Sequence, residues 1–513
     1  SVQEARNLAR LGKIATDKLA DYTEEQIDRI LQNMVRVAEE NAVMLAKMAV
    51  EETGFGKVED KTFKNHMAST IVYNYIKDMK CAGIIHEDPV NKVMEVADPV
   101  GLIMGIVPST NPTSTAIYKS MIAIKARNAI VFSPHPSALQ CTLKAATLMR
   151  DAAVAAGAPE NVIGCLSMPS MGATDELMKC KETSMIIATG GPGMVKAAYS
   201  AGKPALGVGA GNSPSYIERT ADVHQSVMDI LASKTFDNGT ICASEQSVIC
   251  EECNRDQVIA EFKKQGGYFM TAEETAKVCN LLFKNGGHSM SAKFVGRSAQ
   301  VIATAAGISI PDGTRVLIGE QQGVGDGYPL SYEKLTTVLA FYTVRDWHEA
   351  CELSIKLLQN GIGHTMNIHT NDPQIVREFS RKPASRILVN TGGTQGGTGA
   401  STALAPAFTL GCGTWGGSAT SENVTPMNLV NIKKVVYGLK DVTTLAQSDP
   451  TFRPDFGCCR GSNAAGAQPS PMQFSGSCNC TTGNQGLPAQ DGIDGKQLLE
   501  LVNELVNAMK GGN

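Results

Sequence analysis

The sequence contains no apolar run close to the roughly 20 residues that a bilayer-spanning helix needs. Its opening residues, Ser1 to Arg10, are charged rather than signal-like, so neither a membrane span nor a secretory leader is expected. A basic block is missing too. The 46 Lys and Arg against 50 Asp and Glu give a net charge of −4, which offers no electrostatic footprint for nucleic acid or an anionic membrane. The fourteen cysteines lack a secretory context, so disulfides are not expected and most thiols read as small buried hydrophobes. Cys250 and Cys253 have CxxC spacing, but no second pair stands at zinc-finger distance and no thioredoxin-like context surrounds them; no metal site is expected. These absences leave a cytoplasmic protein of small-molecule chemistry, and 513 residues suffice for two or three domains at roughly 100 to 200 residues each.

From Thr23 the spacing predicts a capped helix: Gln26 follows three residues later, and Ile27, Ile30, Leu31 and Met34 recur at helical intervals. Two short β-rich runs follow, Val93 to Val96 and Gly101 to Val107, and from there helical stretches alternate with short apolar strands at Ala129 to Phe132, Val162 to Leu166 and Met185 to Ala188. A second such block, from about Ser233 to Gly417, has candidate strands at Ser247 to Cys250, Val316 to Gly319, Val338 to Val344 and Arg386 to Val389. The alternation predicts parallel α/β sheets in two domains. Residues 450–492 contain no Val or Ile, one Leu, seven Gly, five Pro and four Cys, a composition that cannot bury enough apolar surface to fold alone. The last twenty residues turn helical again, with Asp494 as N-cap, Gln497 at the box position and an apolar stripe of Leu498, Leu501, Val502, Leu505 and Met509.

Five separated segments carry chemistry. The run from Thr235 to Gln246 places Cys242 just after a glycine turn, between the two α/β blocks. Pro108, Ser109, Thr110, Asn111 and Pro112 form a proline-bracketed loop, and Thr189, Gly190, Gly191, Pro192 and Gly193 follow a strand. Glu333 lies in Tyr-Glu-Lys-Leu, and His364 in Gly-Ile-Gly-His-Thr. Together with the glycine-rich run Thr391 to Gly399, these segments resemble the aldehyde dehydrogenase superfamily, specifically its coenzyme A-acylating branch, over about residues 1–446. The resemblance implies two Rossmann-like α/β domains, one for cofactor and one catalytic, plus a small oligomerisation β element. It places an NAD-binding domain at 1–235 with oligomerisation strands near 88–100, a catalytic cysteine domain at 236–430, an oligomerisation strand and return segment at 431–449, a linker at 450–492 and a tail helix at 493–513.

The resemblance further implies that Cys242 is the nucleophile and that Asn111 stabilises the oxyanion. The glycine turn would take the dinucleotide pyrophosphate, and Glu333 the nicotinamide ribose. Physically, a thiolate adding to an aldehyde creates an oxyanion that needs aimed donors. Phosphates need backbone N–H groups at a helix start. Asn before Pro is also a frequent turn residue, and His364, whose ordinary pKa near 6.5 suits assistance to a thiol, reads equally as a satisfied core histidine. Glu245 reads as structural rather than as a base. Gly207 to Asn212 almost spells a dinucleotide fingerprint but lacks its last glycine.

That last segment departs from the hydrolytic branch, where a glutamate about 35 residues before the cysteine activates water. Gly207 stands in its place. A thioester without that base waits for another nucleophile, and the thiol of coenzyme A is one. A second departure puts Ser133 where many relatives have a lysine for the adenosine ribose, which leaves NAD against NADP to the resemblance; that favours NAD. Expected partners are a short-chain aldehyde such as propionaldehyde, coenzyme A, further copies in a homodimer or homotetramer, and a microcompartment shell protein docked by the C-terminal helix. Cargo inside a bacterial microcompartment is the implied location. The rivals are a hydrolytic aldehyde dehydrogenase and a non-catalytic scaffold of a shell assembly.

Overall fold

Thr23 caps the helix Glu24–Glu40 through the expected box: its hydroxyl accepts from Gln26 N at 3.3 Å, and Gln26 Oε1 accepts from Thr23 N at 2.8 Å. Ile27, Ile30, Leu31 and Met34 are buried along one face of it, against the helix Leu139–Ala155. The computed structural model describes residues 1–284 and 289–440. The expected return segment beyond residue 440, the linker and the tail helix lie outside the described residues.

The helices cover a parallel sheet of five strands, in the order Ile163–Cys165, Ile130–Pro134, Leu102–Val107, Thr183–Thr189, Ala205–Val208. Leu102–Val107 is buried along its whole length, as a central parallel strand covered on both faces must be. The chain enters at this middle strand and winds outward in both directions, so the strand order reverses between Leu102–Val107 and Thr183–Thr189. Ligand crevices form outside the carboxyl ends of strands at such a reversal. The loops leaving those two ends are Pro108 to Asn111 and Thr189 to Gly191.

A second parallel sheet has seven strands: Gly267–Phe269, Val316–Glu320, Val338–Val344, Glu245–Glu251, Ser213–Ile217, Gly363–His369, Ala384–Val389. The two sheets are the α/β architecture that the alternation predicts. Their parting differs from the expected boundary at residue 235, because Ser213–Ile217 already belongs to the second sheet. Its Ser-Pro-Ser start is no apolar run, and pairing on both edges holds it as a strand. The crossing between sheets is therefore Gly209 to Asn212. A Cβ on Gly211 would lie 1.9 Å from the carbonyl oxygen of Cys242, so only glycine lets this crossing lie against the cysteine.

A separate antiparallel sheet joins Gly83–Asp88, Val93–Pro99 and Val430–Val436, bringing together the two segments expected to form an oligomerisation element. Among the described residues, no helix is long and apolar enough to cross a membrane.

Candidate active site

The crevice at the strand-order reversal is a cavity of about 330 Å³. Pro108, Ser109, Thr110 and Asn111 line it from one loop, Thr189, Gly190 and Gly191 from the other, and Cys242 and Glu333 from the second sheet's side. Of the remaining sequence candidates, Gly193 and Gly207 are not among its lining residues, and His364 reaches it through Cys242.

Cys242 is partly exposed, and its Sγ lies 3.1 Å from Nε2 of the fully buried His364. Nδ1 of His364 is 2.8 Å from Thr365 Oγ1, which accepts from Arg386 Nε at 3.3 Å. Arg386 is itself buried, and its other partners are Asn423 Oδ1 at 3.1 Å and the backbone carbonyls of Gly411 and Ser421. Burial pushes the Cys242 thiol up to about 12; Glu333 and Cys412 add to the push and Arg386 opposes it. Burial, then Arg386, holds His364 well below its ordinary value. The resting pair is accordingly a neutral thiol against a neutral imidazole, in which a proton has one short step to make.

Asn111 is the N-cap residue of the helix Pro112–Lys125, yet its side chain makes no capping bond. Instead Oδ1 accepts from Lys64 Nζ at 2.6 Å, and Nδ2 reaches Thr110 Oγ1 at 3.2 Å. The turn reading of Asn111 thus accounts for its backbone but not for its side chain. Lys64 also donates to Thr240 Oγ1 at 2.9 Å and to the carboxylate of Asp237. Lys61, one turn earlier on the helix Val58–His66, donates to the Thr110 carbonyl at 2.9 Å and to Asp237 Oδ2 at 2.8 Å. Asp237, Asn238 and Gly239 have φ of 49°, 52° and 77°, so three successive left-handed residues turn the chain toward Cys242. Burial works to raise Asp237, but Lys64 and Lys61 together hold it below the usual carboxylate value. Burial brings Lys64 down to about 8, with Asp237 opposing.

Gly207 sits on the strand Ala205–Val208, where a Cβ would come within 2.6 Å of the Tyr199 ring and 2.7 Å of Val195. The Tyr199 hydroxyl accepts from Gly207 N and Ala419 N, each at 2.9 Å, and the Ser418 hydroxyl donates to the Gly207 carbonyl at 2.9 Å. The place of the missing glutamate is closed by packing as well as lacking a carboxylate. Glu333, the carboxylate in the cavity wall, accepts from Gly211 N at 2.9 Å, and burial raises it to about 7. Glu245 begins a strand rather than continuing a helix; it is buried, accepts from Gly393 N at 2.6 Å and does not face the cavity. Ser133 turns inward to Thr174 Oγ1 at 2.9 Å, leaving His135 and Ser137 on the cavity wall nearby.

Sequence reasoning missed Lys61, Lys64, Asp237 and Arg386. The turn-forming Asp-Asn-Gly before Cys242 was a usable signal for a special backbone, but nothing local marks its distant partners.

The residues fit a dinucleotide: the glycine turn opens the helix Pro192–Tyr199, and no atom lies within 4 Å of where a Cβ on Gly190 or Gly191 would be, so backbone N–H groups there are approachable. Two parallel sheets meeting over a cavity, with a thiol–imidazole pair on one wall and a helix-opening glycine turn on the other, suit a thiol-dependent dehydrogenase. The chain belongs to the aldehyde dehydrogenase family, whose model matches residues 1–271. It is 48% identical over 442 residues to the bifunctional aldehyde-alcohol dehydrogenase AdhE of Escherichia coli; the match covers 85% of this chain and 49% of that protein, so the chain spans about half the length of this relative. An acetylating aldehyde dehydrogenase from Geobacillus thermoglucosidasius has a solved structure similar at TM-score 0.84 and 52% identity, covering 86% of this chain and 98% of that one. The Rhodopseudomonas palustris propionaldehyde dehydrogenase, solved with bound CoA and an acylated cysteine, is similar at TM-score 0.77 and 26% identity, covering 84% and 97%.

Proposed function

We propose that this chain oxidises a short-chain aldehyde to its acyl-coenzyme A, with NAD as electron acceptor, through a thioester on Cys242. The observation that carries this is the 3.1 Å contact between Cys242 Sγ and His364 Nε2 at a cavity that also presents Asn111 and the glycine turn. The neutral imidazole takes the thiol proton as sulfur adds to the aldehyde carbon. The carbonyl oxygen becomes an oxyanion, held by Asn111 Nδ2 and the backbone N–H of Cys242. A bound NAD would supply the acceptor for the hydride that leaves carbon as the carbonyl re-forms. Thr189 to Gly191 would hold its pyrophosphate, and Glu333 its nicotinamide ribose. His364 releases its first proton to solvent; the thiol of coenzyme A then attacks the Cys242 thioester and gives its proton to His364, the same donors hold the second oxyanion, and Cys242 leaves and takes that proton from His364. Gly207 and the packing around it support coenzyme A rather than water as acceptor. The Rhodopseudomonas structure, with its acylated cysteine and CoA, supports the same sequence of steps.

NADH formation from propionaldehyde, with and without coenzyme A, tests the reading. Turnover that depends on coenzyme A is expected. Equal turnover without it would support hydrolysis, and no turnover in either would support a scaffold.

Three finer readings belong with this one. Propionaldehyde is the proposed substrate, supported by the same Rhodopseudomonas relative. The antiparallel sheet, whose strand Val430–Val436 exposes Ile432, Val435 and Val436, is proposed as the element joining copies into a dimer or tetramer. The segment 493–513 is proposed as a peptide docking on a microcompartment shell protein, supported by its apolar stripe beyond a Gly- and Pro-rich stretch. Deleting residues 491–513 is expected to leave the kcat unchanged and abolish co-sedimentation with shells; lost activity would overturn the docking role.

A further inference from the structure

We infer that Lys64 is a positioning residue for the reaction: it fixes which end of the Asn111 amide faces the reacting oxygen. The inference rests on the proposed role of Asn111 as oxyanion donor. An asparagine side chain presents either an acceptor or a donor depending on a half-turn about its last bond, and only one of the two orientations stabilises a developing negative charge. A lysine ammonium has three donors and no acceptor. With Lys64 Nζ at 2.6 Å from the Asn111 side chain, the atom facing it is the carbonyl oxygen, so Nδ2 is left for the other side. A bound ammonium also draws electron density toward Oδ1, which makes the opposite N–H groups stronger donors.

The placement of Lys64 is costlier than support for the loop requires. Lys61 already grips the Thr110 carbonyl at 2.9 Å and pairs with Asp237 at 2.8 Å. Asp237 has further partners in Lys57 N at 2.8 Å and Thr240 Oγ1 at 2.6 Å. A second buried ammonium, 2% exposed, is thus not needed to satisfy the carboxylate. Beyond its bonds to Asp237 and Thr240, what Lys64 adds is the contact with Asn111. The two lysines, one turn apart on Val58–His66, hold consecutive residues of the opposite loop, Lys61 by backbone and Lys64 by side chain. Because Asp237 stands in the left-handed turn leading to Cys242, one carboxylate ties the donor's orientation to the nucleophile's loop.

The test is a double-mutant cycle on the full chain, with Lys64→Met, Asn111→Ala and the pair, reading the kcat and KM of coenzyme A-dependent propionaldehyde oxidation. Asn111→Ala is expected to lower kcat by about 10²- to 10³-fold, and Lys64→Met by about tenfold or more with the aldehyde KM nearly unchanged. The double variant is expected to match Asn111→Ala alone, since the effect of Lys64 on the reaction passes through that amide while its bonds to Asp237 and Thr240 support the loop. A double variant showing the product of the two single losses would overturn the proposal, as would an undiminished kcat in Lys64→Met. An undiminished kcat in Asn111→Ala would instead remove the oxyanion reading beneath it. The iodoacetamide alkylation rate of Cys242, which needs the thiol but no oxyanion donor, is expected to stay at the wild-type value in Lys64→Met; a changed rate marks damage to the nucleophile loop and overturns the assignment. Should Lys64→Met fail to fold, Lys64→Arg keeps the charge against Asp237, and its kcat loss is expected to vanish in the Asn111→Ala background; a loss that persists there refutes the coupling.

Discussion

On the Asn111 side of the cavity, Lys61, Lys64 and Asp237 are buried ions in direct contact, whereas on the Cys242 side the thiol and imidazole are held neutral and Arg386 meets only neutral partners among the described residues. Burying ions costs several kcal/mol each unless they are paired and hydrogen-bonded. The chain pairs its buried ions where negative charge develops during the reaction, and where a proton must move it keeps the reacting pair neutral, with the buried Arg386 behind them. Charge that is fixed in advance stabilises an oxyanion without reorganisation. A thiol fixed as thiolate at rest would be exposed to oxidation and alkylation, and the neutral pair postpones ionisation until a carbonyl arrives.

The comparison can be broken most severely at the sulfur. Cys242→Ala is expected to lower coenzyme A-dependent NADH formation by at least about 10⁴-fold, as loss of a covalent nucleophile does elsewhere. Activity near wild type would mean that neither side had been assigned correctly. His364→Gln removes the proton acceptor but leaves the Asn111 side intact, and a kcat loss of about 10²- to 10⁴-fold is expected. A loss below tenfold would reduce His364 to a core histidine. The neutrality of the thiol side has its own signature in pH. With the Cys242 thiol pushed up to about 12, the thiolate fraction rises tenfold per pH unit throughout the range below that value. Alkylation of the Cys242 peptide, followed by mass spectrometry, is therefore expected to climb without a plateau from pH 7 to 10; a plateau near pH 8 would show a resting thiolate. The smallest effect is at Gly207→Ala, where the added methyl meets Tyr199 and is expected to cost about 1–3 kcal/mol of stability by overpacking. Denaturant midpoints measure it, and an unchanged midpoint would show that the closure at Gly207 is loose.

The two sides also differ in how far they can be read from sequence. Cys242, Asn111, Glu333 and the Thr189 to Gly191 turn each sit in a short local pattern, and all line the one cavity. The parallel sheets were equally legible wherever strands were apolar runs, such as Val338–Val344. Ser213–Ile217 was not, because its place between two partner strands, not its composition, makes it extended. The ion cluster was hidden for a different reason. Lys61 and Lys64 look like the polar face of a solvated helix, and their carboxylate partner lies more than 170 residues downstream. Arg386 was read only as the start of an apolar strand, and its link to Cys242 passes through two intervening side chains. Patterns within one segment survive in a sequence, whereas contacts between segments appear only after folding.

The crossing at Gly209 to Asn212 has a mechanical consequence. It is the covalent bridge from the five-stranded sheet to the seven-stranded one, and at Gly211 it bears directly on the Cys242 carbonyl while its N–H holds Glu333. The positions of the sulfur's residue and of the carboxylate are thus tied to one short bridge, and a displacement of that bridge would displace both.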